Sequence, residues 1–463
     1  MPHDGAPQAE ERRFADRYFA VLLFALAAYA FTGKGFAYAG VPPLFPAEMI
    51  LAAGLVTLVW PRPSGAVLYS VPHLLLAMLI ALVVVRTVPY VGPYGIDALR
   101  DSVIVVYGLF AFIVANLILQ KPERIALALR RAAPFFTVYG FLSAFLYTVP
   151  KALDGVIPQW PGSGAPMMQL RGGEVATHLG AAIVFSILGL RRSSLLWMAF
   201  AFAGFVAISA QSRGGMLAIL VPAVLCMALS GRIRPAVYAC LFVLPVVSVL
   251  YAVDLEIPLG SDYRTVRVGQ LIDNSLSIVG SSGDEMLDGT KKWRLQWWDK
   301  IIAYTVYGEG YWTGRGFGIN LAAVDGFAGT GRFDGPPLRS PHNAHMTILA
   351  RTGVPGLVLW LTLLAAWLST MLGAIWRSRM NGDVEWNSAF VFVTCYLVGA
   401  LVNSTFDVAL EGPMIGVIFW VLFGAGTGMA MTYAALCRDR LAETRAAGLA
   451  ALAAPARTGL AGR

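Results

Sequence analysis

The chain has 463 residues, of which 57% are hydrophobic and only 13% charged, and its formal net charge is +8. A soluble globular domain carries about 25% charged residues, so this composition excludes a single core wrapped in a water-facing surface. The apolar residues fall in long blocks, and a helix needs about 20 such residues to cross a hydrocarbon layer ~30 Å thick. The blocks lack the period-two alternation of barrel strands.

In chain order, residues 1–17 are polar and are expected to form a disordered cytoplasmic tail. Apolar blocks follow at 18–33, 42–60, 71–89, 102–119, 132–149, 175–190, 194–210, 214–230 and 235–253. A long polar segment, 254–341, separates them from blocks at 344–376, 387–405 and 413–436, and residues 437–463 form a second tail. The expected fold is an all-α polytopic membrane protein with about 12 transmembrane helices. Helices 1–9 fall within 18–253 and helices 10–12 within 342–436, and residues 254–341 form one large structured loop between helices 9 and 10. Ala37-Tyr38-Ala39 resembles a signal-peptide cleavage site, but the next apolar block begins almost at once, as in a multi-span protein.

The basic residues set an orientation. With the N-terminus cytoplasmic, eleven fall in the short inside loops: Arg62, Lys121, Arg124, Arg130, Arg131, Arg191, Arg192, Arg232, Arg234, Arg377 and Arg379. Six fall in the short outside loops: Lys34, Arg86, Arg100, Lys151, Arg171 and Arg213. Cytoplasmic loops carry the excess of Lys and Arg, so both termini are expected inside and the 254–341 loop outside. The positive charge thus follows topology, and nucleic acid is not an expected partner. The four cysteines lie in or beside apolar blocks and imply no disulfide framework.

The long loop is not low-complexity. In residues 290–307, Trp293, Trp297, Ile301 and Tyr304 recur at helical spacing, which predicts an amphipathic helix lying on the outer leaflet. Residues 264–279 read as a second, weaker one. The stretch Gly308 to Gly318 contains GRGFG with no strand before it, which suits a tight connection better than a dinucleotide site.

Ionisable residues at a membrane edge are candidates for function. On the expected outer side these are Arg171, Arg213, Arg264, Arg267, Arg294 and Arg339, with His342 and His345 at the start of the tenth span and His178 a turn inside the sixth. Arg213 also suits a snorkelling role, and Arg294 the polar face of an amphipathic helix. His342 and His345 share a helix face and raise a metal site with His178, but no Asp, Glu or Cys stands at ligand spacing, so neither metal nor cofactor is expected. Guanidinium forks hold phosphate oxygens, and an imidazole takes a proton from a hydroxyl near neutral pH. Arginines around histidine therefore suit transfer from a diphosphate-linked donor.

These motifs resemble the superfamily of O-antigen ligases and polysaccharide polymerases. The string SPHNAHMTILARTGVPGLVLWL, residues 340–361, has the family's His-Asn at a helix start (His342, Asn343) and its Gly-x-x-Gly (Gly353, Gly356). Arg294 with Trp297, then Gly314, Gly316 and Gly318, resemble the loop motif, and Ser212-Arg213-Gly214 the motif at a span start. The resemblance covers roughly residues 170–405. Arg351 stands where the family often has Glu, His345 where it often has an aromatic, and Ala176-Thr177-His178 near an expected Pro-Asn.

The resemblance implies a bacterial inner-membrane enzyme that moves a glycan from a polyprenyl diphosphate to an acceptor hydroxyl on the periplasmic face. The acceptor would be lipid A core or a nascent polysaccharide, with chain-length regulators or export proteins as further partners. His342 would be the catalytic base, Arg213 and Arg294 would bind the diphosphate, and Arg171, Arg264, Arg267, Arg339 and His345 stand in reserve. The alternative is a transporter or flippase for lipid-linked oligosaccharide. Such folds show internal repeats and midplane ionisable residues, neither of which is seen in this sequence.

Overall fold

The computed structural model describes residues 5–59, 65–153, 155–234, 285–328 and 338–453, with two short strands and isolated positions between 237 and 267. Helices α1 (Gly5–Thr32), α2 (Lys34–Ala37), α3 (Pro46–Val59), α4 (Val71–Tyr94), α5 (Ile96–Val106), α6 (Leu109–Gln120) and α7 (Glu123–Ala152) come first. They are followed by α8 (Gly172–Ile187), α9 (Leu195–Ser209) and α10 (Arg213–Ser230). After strands β1 (Glu256–Pro258) and β2 (Thr265–Arg267) come α11 (Glu285–Thr305), α12 (Leu321–Asp325), α13 (Ala344–Met380), α14 (Val384–Phe406) and α15 (Pro413–Ala453).

Every expected apolar block is helical except 235–253, which lies largely outside the described residues. Among the described residues, eight segments are long and apolar enough to cross a membrane, α5 and α6 counting as one, while α3, α8 and α9 are shorter apolar helices. The chain is a multi-pass membrane protein. The N-terminal polar stretch is helical from Gly5 rather than irregular. Its run of Ala, Glu and Arg favours helix, which explains the difference. Close helix packing rests on small residues, as is usual in a bilayer. A Cβ on Gly424 of α15 would meet the Ala111 carbonyl of α6 at 2.2 Å.

The loop region departs from expectation in two places. Within 264–279, Thr265–Arg267 is a strand paired antiparallel with Glu256–Pro258, and the rest lies outside the described residues. The helix expected over 290–307 is present as α11, but its apolar face does not lie on a leaflet. Trp297 and Ile301 are fully buried against Leu321, Ala322, Leu349 and Ala350, and Phe327 stacks on Trp297. Trp297 donates its indole N–H to Asp325 at 2.9 Å. The apolar stripe is covered by protein, namely α12 and the start of α13.

Helix α13 is broken at Gly353, whose φ of 73° and ψ of −170° lie outside helical space. The break orphans carbonyls one turn earlier, because Val354 N–H turns away to Tyr311 O (2.8 Å) and Pro355 has no N–H. The glycine-rich segment supplies the missing donors: Arg315 N–H reaches Ala350 O at 2.8 Å and Gly316 N–H reaches Arg351 O at 3.1 Å. Gly314, Gly316 and Gly318 all have positive φ, which lets the segment lie flat against the break. Gly353→Ala is expected to cost about 1–3 kcal/mol, since its Cβ would also stand 2.3 Å from the Tyr311 carbonyl. Thermal unfolding of the full chain in detergent measures this.

Arg351 is 2% exposed in its side chain and pairs with Asp101 of α5 at 2.9 Å. It also donates to the carbonyls of Gly316 (3.1 Å) and Ile319 (3.4 Å). The departure from the family's Glu is therefore matched by a carboxylate on another helix.

Candidate functional site

His342, Arg171 and Arg294 come together around one acidic residue, Asp407, with Arg213 beside Arg294, at the end of the bundle where the loop region docks. Arg171, Arg213 and His342 stand at helix starts, and Arg294 projects from the middle of α11. Asn343 caps α13, its side chain accepting from His345 N–H (2.9 Å) and Met346 N–H (3.2 Å). Just before this cap His342 takes φ 52°, the one positive φ outside glycine among the described residues. That turn is braced by α11, where Trp298 donates its indole N–H to Pro341 O at 3.0 Å. A strained backbone persists only where its surroundings over-determine it. Asp407 follows the last residue of α14, its N–H bonded to Asn403 O at 3.0 Å, and its Oδ1 accepts from Val408 N–H at 2.8 Å.

The His342 Nδ1 lies 3.4 Å from Asp407 Oδ1, and Arg171 Nη1 donates to the same oxygen at 3.3 Å. His342 and Asp407 are each about a quarter exposed, at 25% and 24%. Arg171 precedes α8 and its backbone N–H donates to Glu174 at 3.1 Å. Arg294 donates from Nη1 to Phe406 O at 2.9 Å, while its Nε is buried with no hydrogen-bond partner. Arg213 opens α10 behind Ser212, whose hydroxyl accepts from Gly215 N–H at 3.0 Å. A Cβ on Gly214 would meet that of Phe406 at 2.7 Å, so the glycine after Arg213 serves a close approach to the end of α14.

The electrostatics favour an anion. Burial would raise the Asp407 carboxyl, but the His342 hydrogen bond and Arg171 outweigh it and hold it down to about 2. Burial pushes the Arg294 guanidinium below its usual range, and neighbouring Arg213 adds to this while Asp407 opposes it. Lys34 is lowered by burial and then by Arg171, with Glu174 and Asp407 acting the other way. The Lys34 N–H, bonded to Gln169 O at 2.9 Å, fixes this residue beside Arg171.

The remaining candidates sit elsewhere or lack a described side chain. His345 accepts from Trp360 Nε1 at 3.0 Å on Nδ1, and its Nε2 lies 3.4 Å from Thr405 Oγ1, so both ring nitrogens are engaged inside the bundle. Arg339 pairs with Asp97 and Asp101, each at 3.2 Å. His178 is buried deeper in α8 against the Tyr396 hydroxyl. Arg264 lies outside the described residues, and Arg267 ends β2 opposite Glu256. Among the described residues no group of three or more His, Cys, Asp or Glu is placed to hold a metal ion.

Residues 198–361 match the model of the O-antigen ligase family. Over this segment the chain is similar to that family. The match runs from α9 into α13, so it contains Arg213, Arg294 and His342 and leaves out Arg171 and Asp407. No curated protein matches the chain. The matched segment carries His342 and Arg294, which face Asp407, and Arg213 beside Arg294.

Sequence reasoning missed Asp407 and treated Lys34 only as an outer-loop charge. A signal for Asp407 existed: it is one of two acids, with Glu411, in the short turn between the last two spans, and carboxylates at such edges default to function.

Proposed function

We propose that this O-antigen ligase-like protein transfers a glycan from a polyprenyl diphosphate to an acceptor hydroxyl, lipid A core or a growing polysaccharide, at the periplasmic face of the bacterial inner membrane. The observation that carries this reading is the meeting of His342 with Asp407 beside three arginines. Asp407 faces Nδ1 and orients the ring, leaving Nε2 to take the proton of the acceptor hydroxyl. The acceptor oxygen attacks the anomeric carbon as the bond from that carbon to the diphosphate breaks. The diphosphate departs toward Arg213 and Arg294, whose fixed charges stabilise it where it forms. A single displacement inverts the anomeric configuration.

The test is transfer by the full chain in vesicles supplied with a polyprenyl-diphosphate glycan and an acceptor, with the product linkage read by NMR. A retained configuration overturns the direct displacement, and flux of lipid-linked glycan without transfer overturns the enzyme. Full activity is expected after exhaustive chelation, because arginine charge serves the leaving group; loss of activity restored by one metal per chain would refute this. The orientation has its own check. A reporter fused near residue 280 is expected to behave as periplasmic, given the basic-residue asymmetry, and a cytoplasmic result would move the whole site to the other face.

A further inference from the structure

We propose that the protein holds one anionic glycerophospholipid in a cleft at the end of the bundle away from His342, with an acyl chain in the cleft and the phosphate against Arg131. A cavity of about 420 Å³ lies between α1, α7, α14 and α15. Its floor includes Phe136, Phe392 and Tyr396, each at most 5% exposed, and Phe24 on its rim is 69% exposed. The cleft therefore opens sideways toward lipid. An apolar void in this setting forgoes dispersion attraction at every wall, and a hydrocarbon chain restores it.

The charge at the cleft decides which lipid. Arg124 and Arg131 are the basic residues that line it. Arg124 is buried and already engaged, with Asp16 at 2.8 Å and Leu117 O at 2.6 Å. Arg131 is exposed, and among the described residues it has no hydrogen bond or ion pair. A basic group beside an interhelical cleft recognises an anionic head group.

The position separates this lipid from the glycan donor. Helix α7 starts at Glu123, and its other end carries Tyr147, which lies against Gly172 beside Arg171. Arg131 is near the start of α7 and so far from the site end. A donor whose diphosphate meets Arg213 and Arg294 cannot also place it at Arg131. The proposal stands independently of the transfer reading.

Native mass spectrometry of the full chain, with phosphatidylglycerol or phosphatidylcholine titrated into detergent, tests it. One phosphatidylglycerol is expected to stay bound after phosphatidylcholine has dissociated. Arg131→Ala should lower the preference for phosphatidylglycerol about fivefold, the scale of one basic residue at an anionic lipid surface. Ala128→Trp, which fills the cleft, should abolish retention of either lipid. Because Arg131 is exposed, its variant still reports if the tryptophan variant fails to fold. An unchanged preference in Arg131→Ala, no retained phospholipid, or a retained polyprenyl phosphate in its place would each overturn the assignment.

Discussion

His342→Ala is expected to lower glycan transfer by about a hundred- to ten-thousandfold, the usual worth of a general base, with donor binding preserved. His342 sits at the boundary of loop and bundle, held in a left-handed turn, with Asp407 on its Nδ1 side. His345, one turn into the helix, has both nitrogens engaged by Trp360 and Thr405. His345→Ala should therefore loosen packing more than it slows transfer. Asp407→Asn should fall between the two, since it keeps the shape but loses the carboxylate that faces Nδ1 and Arg171. Because the folded carboxyl is held near 2, below its ordinary value, its charge is fully present above that ordinary value and is lost only as pH falls toward about 2. An acid limb of the rate profile near neutrality would then belong to another group. Single-turnover rate and donor affinity should be measured on the same His342→Ala preparation. A rate that falls only in proportion to lost affinity would make His342 a diphosphate ligand, and a normal rate would remove it from the chemistry.

Arg213→Lys and Arg294→Lys are each expected to cost on the order of a hundredfold in transfer, the scale of removing one charged hydrogen bond from a desolvated site. Lysine keeps the charge and loses the fork that spans two phosphate oxygens. Arg294 donates through one Nη to Phe406 O and has a buried Nε without a partner, so most of its N–H groups remain for another acceptor. Burial and Arg213 both push its guanidinium down, and the diphosphate proposed to bind there would relieve that opposition. Donor affinity measured alongside turnover and thermal stability separates the roles. Lysine variants that turn over normally would leave Arg213 to the membrane surface and Arg294 to its bond with α14.

The helices were legible in the sequence because length and hydrophobicity alone decide what crosses a bilayer. Motif order pointed to His342 and Arg213, at the starts of their helices, and to Arg294, midway along α11. Asp407 was legible only as an acid at a span edge, and its pairing with His342 and Arg171, distant in the chain, was not. The same limit explains α11. Periodicity showed that Trp297 and Ile301 share an apolar face, but could not say whether lipid or Leu321 and Ala350 cover it. Gly353 and the Gly314–Gly318 run each signalled unusual backbone. That one supplies donors to carbonyls freed by the other becomes visible only in three dimensions.

The break at Gly353 has a mechanical consequence. A continuous rod would transmit every change in tilt to its tip, and helices tilt to fit the thickness of the bilayer around them. Here the turns carrying His342 and Asn343 are separated from the lower length of α13 and moored instead to the glycine segment and, through Arg351, to Asp101. The end of the molecule that carries His342 is thus moored apart from the lower length of the helix, which can lean with the lipid without dragging the imidazole along.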